Sequence, residues 1–147
     1  MIQRIQTIYL FVSALIIASM MKLKLADLSV SDELYTFIAR GIYKGEELVF
    51  DGLAIFIFLW AIVLLHLFVI FKYKKRILQI RILVFTMVLM LGLFGMIFYF
   101  VYAGFTGAQV AFKIPVVFPV VAVILDYLAI RSIGKDEALI RSLNRIW

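Results

Sequence analysis

Long hydrophobic segments alternate with shorter polar ones along this chain, and the pattern predicts helices that span a membrane. Four such segments lie at residues 5–21, 53–71, 82–102 and 114–130. About 20 apolar residues make a helix that crosses a bilayer, whereas a surface helix of a soluble protein carries polar side chains on every turn. The pattern predicts a single transmembrane domain over residues 1–147, in an all-α membrane protein with four transmembrane helices.

The polar stretch at residues 22–52 separates the first two predicted helices and holds six of the nine acidic residues. β-Branched and aromatic residues flank Lys44-Gly45, which is typical of a short hairpin. We therefore expect a small β-hairpin in this first outer loop. The sequence indicates no chemical role for the loop.

Residues 132–147 have a different pattern from the segment before them. Their apolar residues recur mostly at intervals of three and four, with Lys135, Arg141 and Arg145 between them. This spacing predicts an amphipathic C-terminal helix that lies on the membrane or against the other helices.

Positive charge is distributed unevenly among the connecting segments. The chain has 15 Lys and Arg against nine Asp and Glu, a net charge of +6. If the amino terminus is cytoplasmic, ten basic residues fall on the inner side and five on the outer, and five of the ten lie in the linker at 72–81. Because basic residues concentrate on the cytoplasmic side, we expect both termini there. The same bias accounts for the basic linker without a nucleic-acid partner.

Composition also argues against a soluble protein and against most enzyme chemistry. Hydrophobic residues make up 66% of the chain, against roughly 45 to 50% in soluble domains, so the lipid bilayer is an expected partner. The chain has no Cys and a single His, and it lacks a Gly-rich phosphate loop. We predict no catalytic, cofactor-binding or metal-binding residues, and we do not expect an enzyme.

Two segments near the ends of the chain resemble a known family. They are residues 1–9, MIQRIQTIY, and residues 128–142, LAIRSIGKDEALIRS. Both are similar to segments of a family of small bacterial four-span membrane proteins called domain of unknown function four-two-nine-three. The resemblance implies a multi-pass protein of the bacterial inner (cytoplasmic) membrane with the topology above. It implies no activity.

In this topology both end segments lie on the cytoplasmic side of the membrane. Arg4 is then a candidate ion-pair residue. Its candidate partners are Asp126, Asp136 and Glu137.

His66 and Asp126 are the candidate polar residues inside the predicted helices. Each lies roughly 8 to 9 Å from the cytoplasmic end of its helix, so the two share one depth. An ionisable residue inside a membrane costs roughly 2.5 to 3.5 kcal/mol and takes a partner or water. The functional interpretation is proton transfer or ion binding. In the structural interpretation, Asp126 pairs with Arg4, Gln6 or a linker lysine, and His66 makes one hydrogen bond near the headgroups.

Gly92 and Gly95 lie inside the third predicted helix. Small residues allow two helices to approach closely, so both glycines are predicted to serve helix packing. A lipid or cofactor pocket is the alternative.

These patterns favour a non-catalytic accessory or assembly subunit of a larger inner-membrane complex. The alternative is a small transporter, or a proton or ion conduit, that uses Asp126 and His66. A membrane enzyme has less support, because few polar residues converge. The sequence identifies no partner, substrate or oligomeric state.

Overall fold

A computed structural model describes residues 2–104 and 107–145, without the side chains of residues 2–4, 50, 104 and 145. Within these residues the chain forms four α-helices and five β-strands. The helices are α1 (Ile2–Ser19), α2 (Leu53–Phe71), α3 (Arg76–Gly104) and α4 (Phe118–Arg145). The strands are β1 (Lys24–Val30), β2 (Glu33–Ile38), β3 (Gly41–Lys44), β4 (Glu47–Asp51) and β5 (Gln109–Phe112).

Three of the helical segments are long and apolar enough to cross a membrane. They are Leu53–Phe71, Arg76–Ala103 and Ile114–Asn144. The apolar part of α1, Ile5–Ser19, is shorter. At 1.5 Å per residue it extends about 22 Å, against about 30 Å for the hydrocarbon core of a bilayer. Helix length and apolar composition therefore support three membrane spans in the described chain. The hydrophobic pattern of the sequence predicted four.

The four helices pack side by side, and each helix packs mainly against two of the others. Helix α1 packs against α2 and α4, and α3 packs against the same two helices. The contacts between α1 and α4 are the most extensive. Gln6 contacts Asp136 while Ser13 contacts Ala122, so α1 and α4 run in opposite directions.

The five strands form one antiparallel sheet, with the order β4-β3-β2-β1-β5. Strand β1 is paired on both sides, with β2 along one edge and β5 along the other. The predicted hairpin at Lys44-Gly45 is present as β3 and β4, but it is only two strands of the five. The all-α fold class is therefore wrong, and the described chain is a mixed α/β protein.

The sheet lies at one end of the helices because of where its strands occur in the chain. Strands β1 to β4 connect the end of α1 to the start of α2, and β5 connects α3 to α4. Leu25, Leu28 and Phe37 from the sheet are fully buried in one core with Ile55 and Ile97 from the helices. Burial of these side chains joins the sheet and the helices into a single packed unit.

Gly52 marks the closest approach between the sheet and the helices. Its backbone N–H donates to the carbonyl of Arg40 at 2.9 Å. A Cβ atom added at Gly52 would lie 2.9 Å from the Cα of Gly41. A larger residue would therefore separate the start of α2 from the β2–β3 turn.

The fourth hydrophobic segment and the amphipathic tail belong to one helix. A 3₁₀ turn at Ile114–Val117 leads directly into α4, which continues to Arg145. Pro119 lies in the first turn of α4, where no intrahelical donor is needed. The predicted amphipathic C-terminal helix is the second half of α4 and not a separate helix. It packs against the other helices, since Ile133 is buried in the same cluster as Leu10 and Leu83. Residues 146 and 147 lie outside the described residues.

Candidate functional site

Three side chains from three different helices meet in the interior. Nε2 of His66 lies 2.9 Å from Oδ1 and 3.1 Å from Oδ2 of Asp126. The Oγ atom of Ser13 lies 3.0 Å from the same Nε2. All three residues are fully buried. The cluster therefore connects α1, α2 and α4 away from solvent.

The periodicity of the helices explains why these residues converge. On each helix the buried face repeats at intervals of four and three, and polar residues occupy some of its positions. The faces are Gln6, Leu10, Ser13 and Ile17 on α1; Ile55, Leu59, Ile62, His66 and Val69 on α2; and Ala122, Asp126, Ala129, Ile133 and Asp136 on α4. Because side chains at this spacing point to one side of a helix, the polar residues are aligned towards each other.

The hydrogen bonds of His66 fix the proton count of the cluster. Its Nδ1 lies 2.8 Å from the carbonyl oxygen of Ile62. A carbonyl only accepts hydrogen bonds, so Nδ1 carries a proton and donates it. One further proton lies between Nε2 and the Asp126 carboxyl group. It makes either an imidazolium with a carboxylate or a neutral imidazole with a carboxylic acid, and the pair has no net charge in both cases.

Ser13 completes the cluster on the side of α1. Its hydroxyl donates to the carbonyl oxygen of Ala122 at 3.4 Å. When the imidazole is protonated, the Ser13 oxygen also shares the single Nε2 proton with Asp126. A buried polar group is costly when it has no hydrogen-bond partner, and here each of the three side chains has at least one. The arrangement stabilises contact between three helices without placing a net charge in the interior.

The geometry differs from that of a hydrolytic Ser-His-Asp triad. In such a triad the carboxylate binds one ring nitrogen and the serine the other. Here Ser13 and Asp126 both contact Nε2, and a backbone carbonyl occupies Nδ1. Since all three residues are also fully buried, the cluster offers no surface to a substrate.

A second buried polar pair lies nearer the start of α1. The side-chain amide of Gln6 donates to Oδ2 of Asp136 at 2.8 Å. Gln6 is 5% exposed and Asp136 is 7% exposed. Gln6 was a candidate partner for Asp126, but it binds the carboxylate ten positions further along α4. Asp126 instead takes His66 as its partner, and the side chain of Arg4 lies outside the described residues.

Sequence reasoning missed Ser13 and Asp136 as members of the interior. The signal for both was present. Ser13 lies seven residues after Gln6, and Asp136 lies ten after Asp126, so each pair falls on one helix face. Asp136 was assigned to a separate tail, and this assignment removed it from the face that it shares with Asp126.

The structure does not give Gly92 and Gly95 the packing role predicted for them. A Cβ atom at Gly92 would lie 4.0 Å from Cε1 of Phe58, an ordinary contact, and one at Gly95 would have no neighbour within 4 Å. Ala14 of α1 and Ala122 of α4 are small residues that are buried, and the carbonyl oxygen of Ala122 accepts from Ser13 of α1. Small residues on a buried face allow neighbouring helices to approach closely.

Charged side chains also pair on the sheet. Nζ of Lys44 lies 2.8 Å from Oε1 of Glu33, and the hydroxyl of Tyr35 donates to Oε2 of the same carboxylate at 2.9 Å. The hydrogen bond from Lys44 lowers the pKa of Glu33 below its ordinary value. Lys113 pairs with Asp27 at 3.1 Å. Both pairs are well exposed, so each contributes little to stability.

Comparison with known families identifies the chain at family level. The family model described as Domain of unknown function (DUF4293) matches residues 2–146. The chain belongs to this family. The resemblance noted at the two ends of the sequence is thus confirmed and extends across the matched region. Comparisons with curated proteins and with solved structures give no match.

The described residues of this DUF4293 member offer no ready metal site. Among them, no three His, Asp or Glu side chains are grouped so that they could hold an ion. His66 and Asp126 are two such groups, and each is already satisfied by the other. The chemistry of the cluster is therefore that of an internal hydrogen-bonded contact between helices.

Proposed function

We propose that this protein is a non-catalytic accessory or assembly subunit of a larger complex in the bacterial inner membrane. The proposal rests mainly on one observation: the buried polar side chains of the helices are hydrogen-bonded within the protein, while large apolar side chains remain exposed on the outer faces of the helices. Each helix exposes large apolar residues, among them Ile8 at 58%, Ile57 at 57%, Val88 at 60% and Ile124 at 55%. Exposed apolar surface of this extent suits lipid and the helices of a partner.

The distribution of basic residues supports a multi-pass arrangement in which the sheet lies on the outer side of the membrane. The basic linker between α2 and α3 lies at the end of the helices opposite the sheet, because β4 precedes α2 and β5 follows α3. The positive-inside bias then favours a cytoplasmic linker. In this orientation the sheet is on the outer side, the three long apolar helices α2, α3 and α4 are embedded, and α1 packs against α2 and α4.

The sheet supplies a further surface for a partner. Strand β4 is at one edge, and its Leu48 and Val49 are each 46% exposed. An edge strand presents unpaired backbone groups and is a template for pairing with another chain. This feature fits a subunit that recognises its partner outside the bilayer as well as within it.

The alternative of a proton or ion conduit is less favoured by the interior. His66 lies in the half of α2 nearer the basic linker, whereas Ser13 and Asp126 lie in the halves of α1 and α4 nearer the sheet. Between this polar cluster and the sheet the core is apolar, with Ile17, Met20, Leu59 and Leu93 all fully buried. A conduit needs polar groups or water along its whole length, and the described residues provide them along only part of it.

Site-specific photocrosslinking from the exposed helix faces tests the proposal. A photoreactive residue is placed in turn at Ile8, Ile57, Val88 and Ile124, and the chain is irradiated in native membranes at its natural level. An accessory subunit gives a discrete protein adduct from one face and lipid adducts from the others. Lipid adducts from all four faces, together with a monomer after gentle purification, would contradict the proposal.

Ion flux provides the discriminating experiment for the conduit. Purified protein is reconstituted into vesicles, and proton flux is measured for the wild type and for Asp126→Asn. We expect no flux above that of empty vesicles. Flux that disappears in Asp126→Asn would instead identify a conduit.

A further inference from the structure

A groove lined by cations lies where α2 ends and α3 begins. It encloses about 420 Å³. The lining residues are Lys74, Lys75, Arg76, Ile77, Leu78, Arg81 and Glu137. Four basic side chains therefore face a small volume that contains a single carboxylate.

The carboxylate does not satisfy the cations of the groove. Glu137 accepts a hydrogen bond from Nε of Arg141 at 3.1 Å. Its distance to Nη1 of Arg76 is 3.8 Å, which is too long for a hydrogen bond. The Nε atom of Arg76 is buried and has no hydrogen-bond partner in the described structure. A buried donor without a partner is costly, so a ligand that brings a hydrogen-bond acceptor into the groove would bind favourably.

Apolar side chains lie in the groove and beside it. Ile77, in the first turn of α3, lines the groove and is 45% exposed. Phe71, at the end of α2, is 77% exposed and lines a neighbouring pocket that shares Lys74 and Lys75 with the groove. Tyr73 between them is 50% exposed. A ligand that places an anion among the cations would therefore have its remaining part against apolar surface. A free inorganic anion would make no use of these side chains.

We propose that this groove binds the phosphate group of an anionic phospholipid, with the acyl chains against Phe71 and Ile77. Arginine offers several donors in a planar fork that matches phosphate, and basic pockets at the cytoplasmic ends of helices bind anionic headgroups. The proposal rests on the membrane placement given under the proposed function, but it does not depend on a protein partner.

Lipid retention by the isolated protein tests the site. The chain is purified in a mild detergent from membranes that contain both anionic and zwitterionic phospholipids, and bound lipid is counted by native mass spectrometry. The variant Lys75→Gln/Arg81→Gln removes two exposed cations of the groove. The matched control, Arg131→Gln/Lys135→Gln, removes two exposed cations of α4 that do not line it.

The two variants should differ in the lipid that they retain. The wild type and the control should keep one anionic phospholipid per chain. Loss of two cations near an anionic headgroup should weaken its retention by roughly 25-fold, at about fivefold for each charge. The single variant Arg76→Gln should also lose the lipid, with circular dichroism to show that the helices are kept.

Several results would overturn the proposal. The first is equal lipid retention by the groove variant and the control, and the second is retention of only zwitterionic lipid. The third is displacement of the lipid from the wild type by millimolar inorganic phosphate, which would identify a soluble anion as the ligand. Carbonate washing of membranes separates this failure from that of the proposed function. A chain released by the wash refutes the membrane placement, whereas an embedded chain without bound anionic lipid refutes only the groove.

Discussion

His66 and Asp126 are 60 positions apart in the sequence, yet Nε2 of the first lies 2.9 Å from Oδ1 of the second. Both side chains are fully buried. A pair of this kind is costly to break, because removal of one partner leaves the other buried and unsatisfied. Its main effect is to set which faces of α2 and α4 point towards each other across the interior of the bundle, and Ser13 extends the same contact to α1.

Asp126→Ala should destabilise the protein strongly, and Asp126→Asn should have a much smaller effect. Alanine leaves Nε2 of His66 with Ser13 alone, and breaking a buried charge pair costs roughly 3 to 5 kcal/mol. The asparagine amide can still donate to Nε2 of a neutral imidazole, so the variant should lose about 1 kcal/mol. Unfolding in detergent micelles measures both. Equal stability of the two variants would contradict the hydrogen-bonded role.

The double variant His66→Leu/Asp126→Leu should be more stable than Asp126→Leu alone. Replacement of a whole buried pair by apolar residues is often neutral, whereas loss of one partner is not. The coupling energy between the two sites should be about 1 to 3 kcal/mol in a double-mutant cycle. Additive effects of the two single changes would show that the pair does not act as a unit.

Gln6→Leu should destabilise the contact between α1 and α4. It removes the donor that Asp136 accepts at 2.8 Å, and an unsatisfied buried acceptor costs about 1 to 3 kcal/mol. The control Ile8→Leu lies on the exposed face of the same helix and should change stability by less than about 0.5 kcal/mol. Chemical unfolding of both variants in one detergent tests this. A similar small effect in both would exclude a structural role for Gln6.

Gly52→Ala and Gly95→Ala should have opposite effects. A Cβ atom at Gly52 meets the backbone of Gly41 at 2.9 Å, and overpacking of this kind costs about 1 to 3 kcal/mol. Gly95 has open space within 4 Å and lies inside a helix, where alanine is favoured by about 1 kcal/mol. Thermal unfolding should therefore give a lower Tm for the first variant and an equal or higher Tm for the second.

The ion pair on the sheet should make a small pH-dependent contribution. Because the hydrogen bond from Lys44 lowers the pKa of Glu33 below 4.5, the pair stabilises the folded state fully above that pH. The contribution is lost as the pH falls through the lowered pKa. The Tm difference between wild type and Glu33→Gln should therefore be larger at pH 7 than at pH 3.

The hydrophobic pattern located the helices better than it located their ends. Helix α2 has the same bounds as its hydrophobic segment, Leu53–Phe71. Helix α3 begins at Arg76, six residues before its segment. Charged residues end a hydrophobic run, but they do not end a helix. For the same reason α4 continues past Arg131 into the predicted tail.

Most of the sheet could not be predicted from the sequence. The turn at Lys44-Gly45 gave a local signal, and its two strands are close in the chain. Strand β5 gave none, since glycine and polar residues before it are typical of a turn and its partner β1 is distant in the sequence. The candidate site shows a similar limit. The number of residues between each side chain and the charged end of its hydrophobic segment predicted a common membrane depth for His66 and Asp126. It did not predict that the two side chains form a hydrogen bond with each other.

The position of β1 between β2 and β5 has a consequence for biosynthesis. Strands β1 to β4 leave the ribosome early, but the last neighbour of β1 emerges only after α3. Until then one side of β1 remains open to incorrect pairing. Arrival of β5 closes that side and brings the start of α4 to the place from which Asp126 can reach His66, so completion of the sheet is coupled to the docking of the final helix.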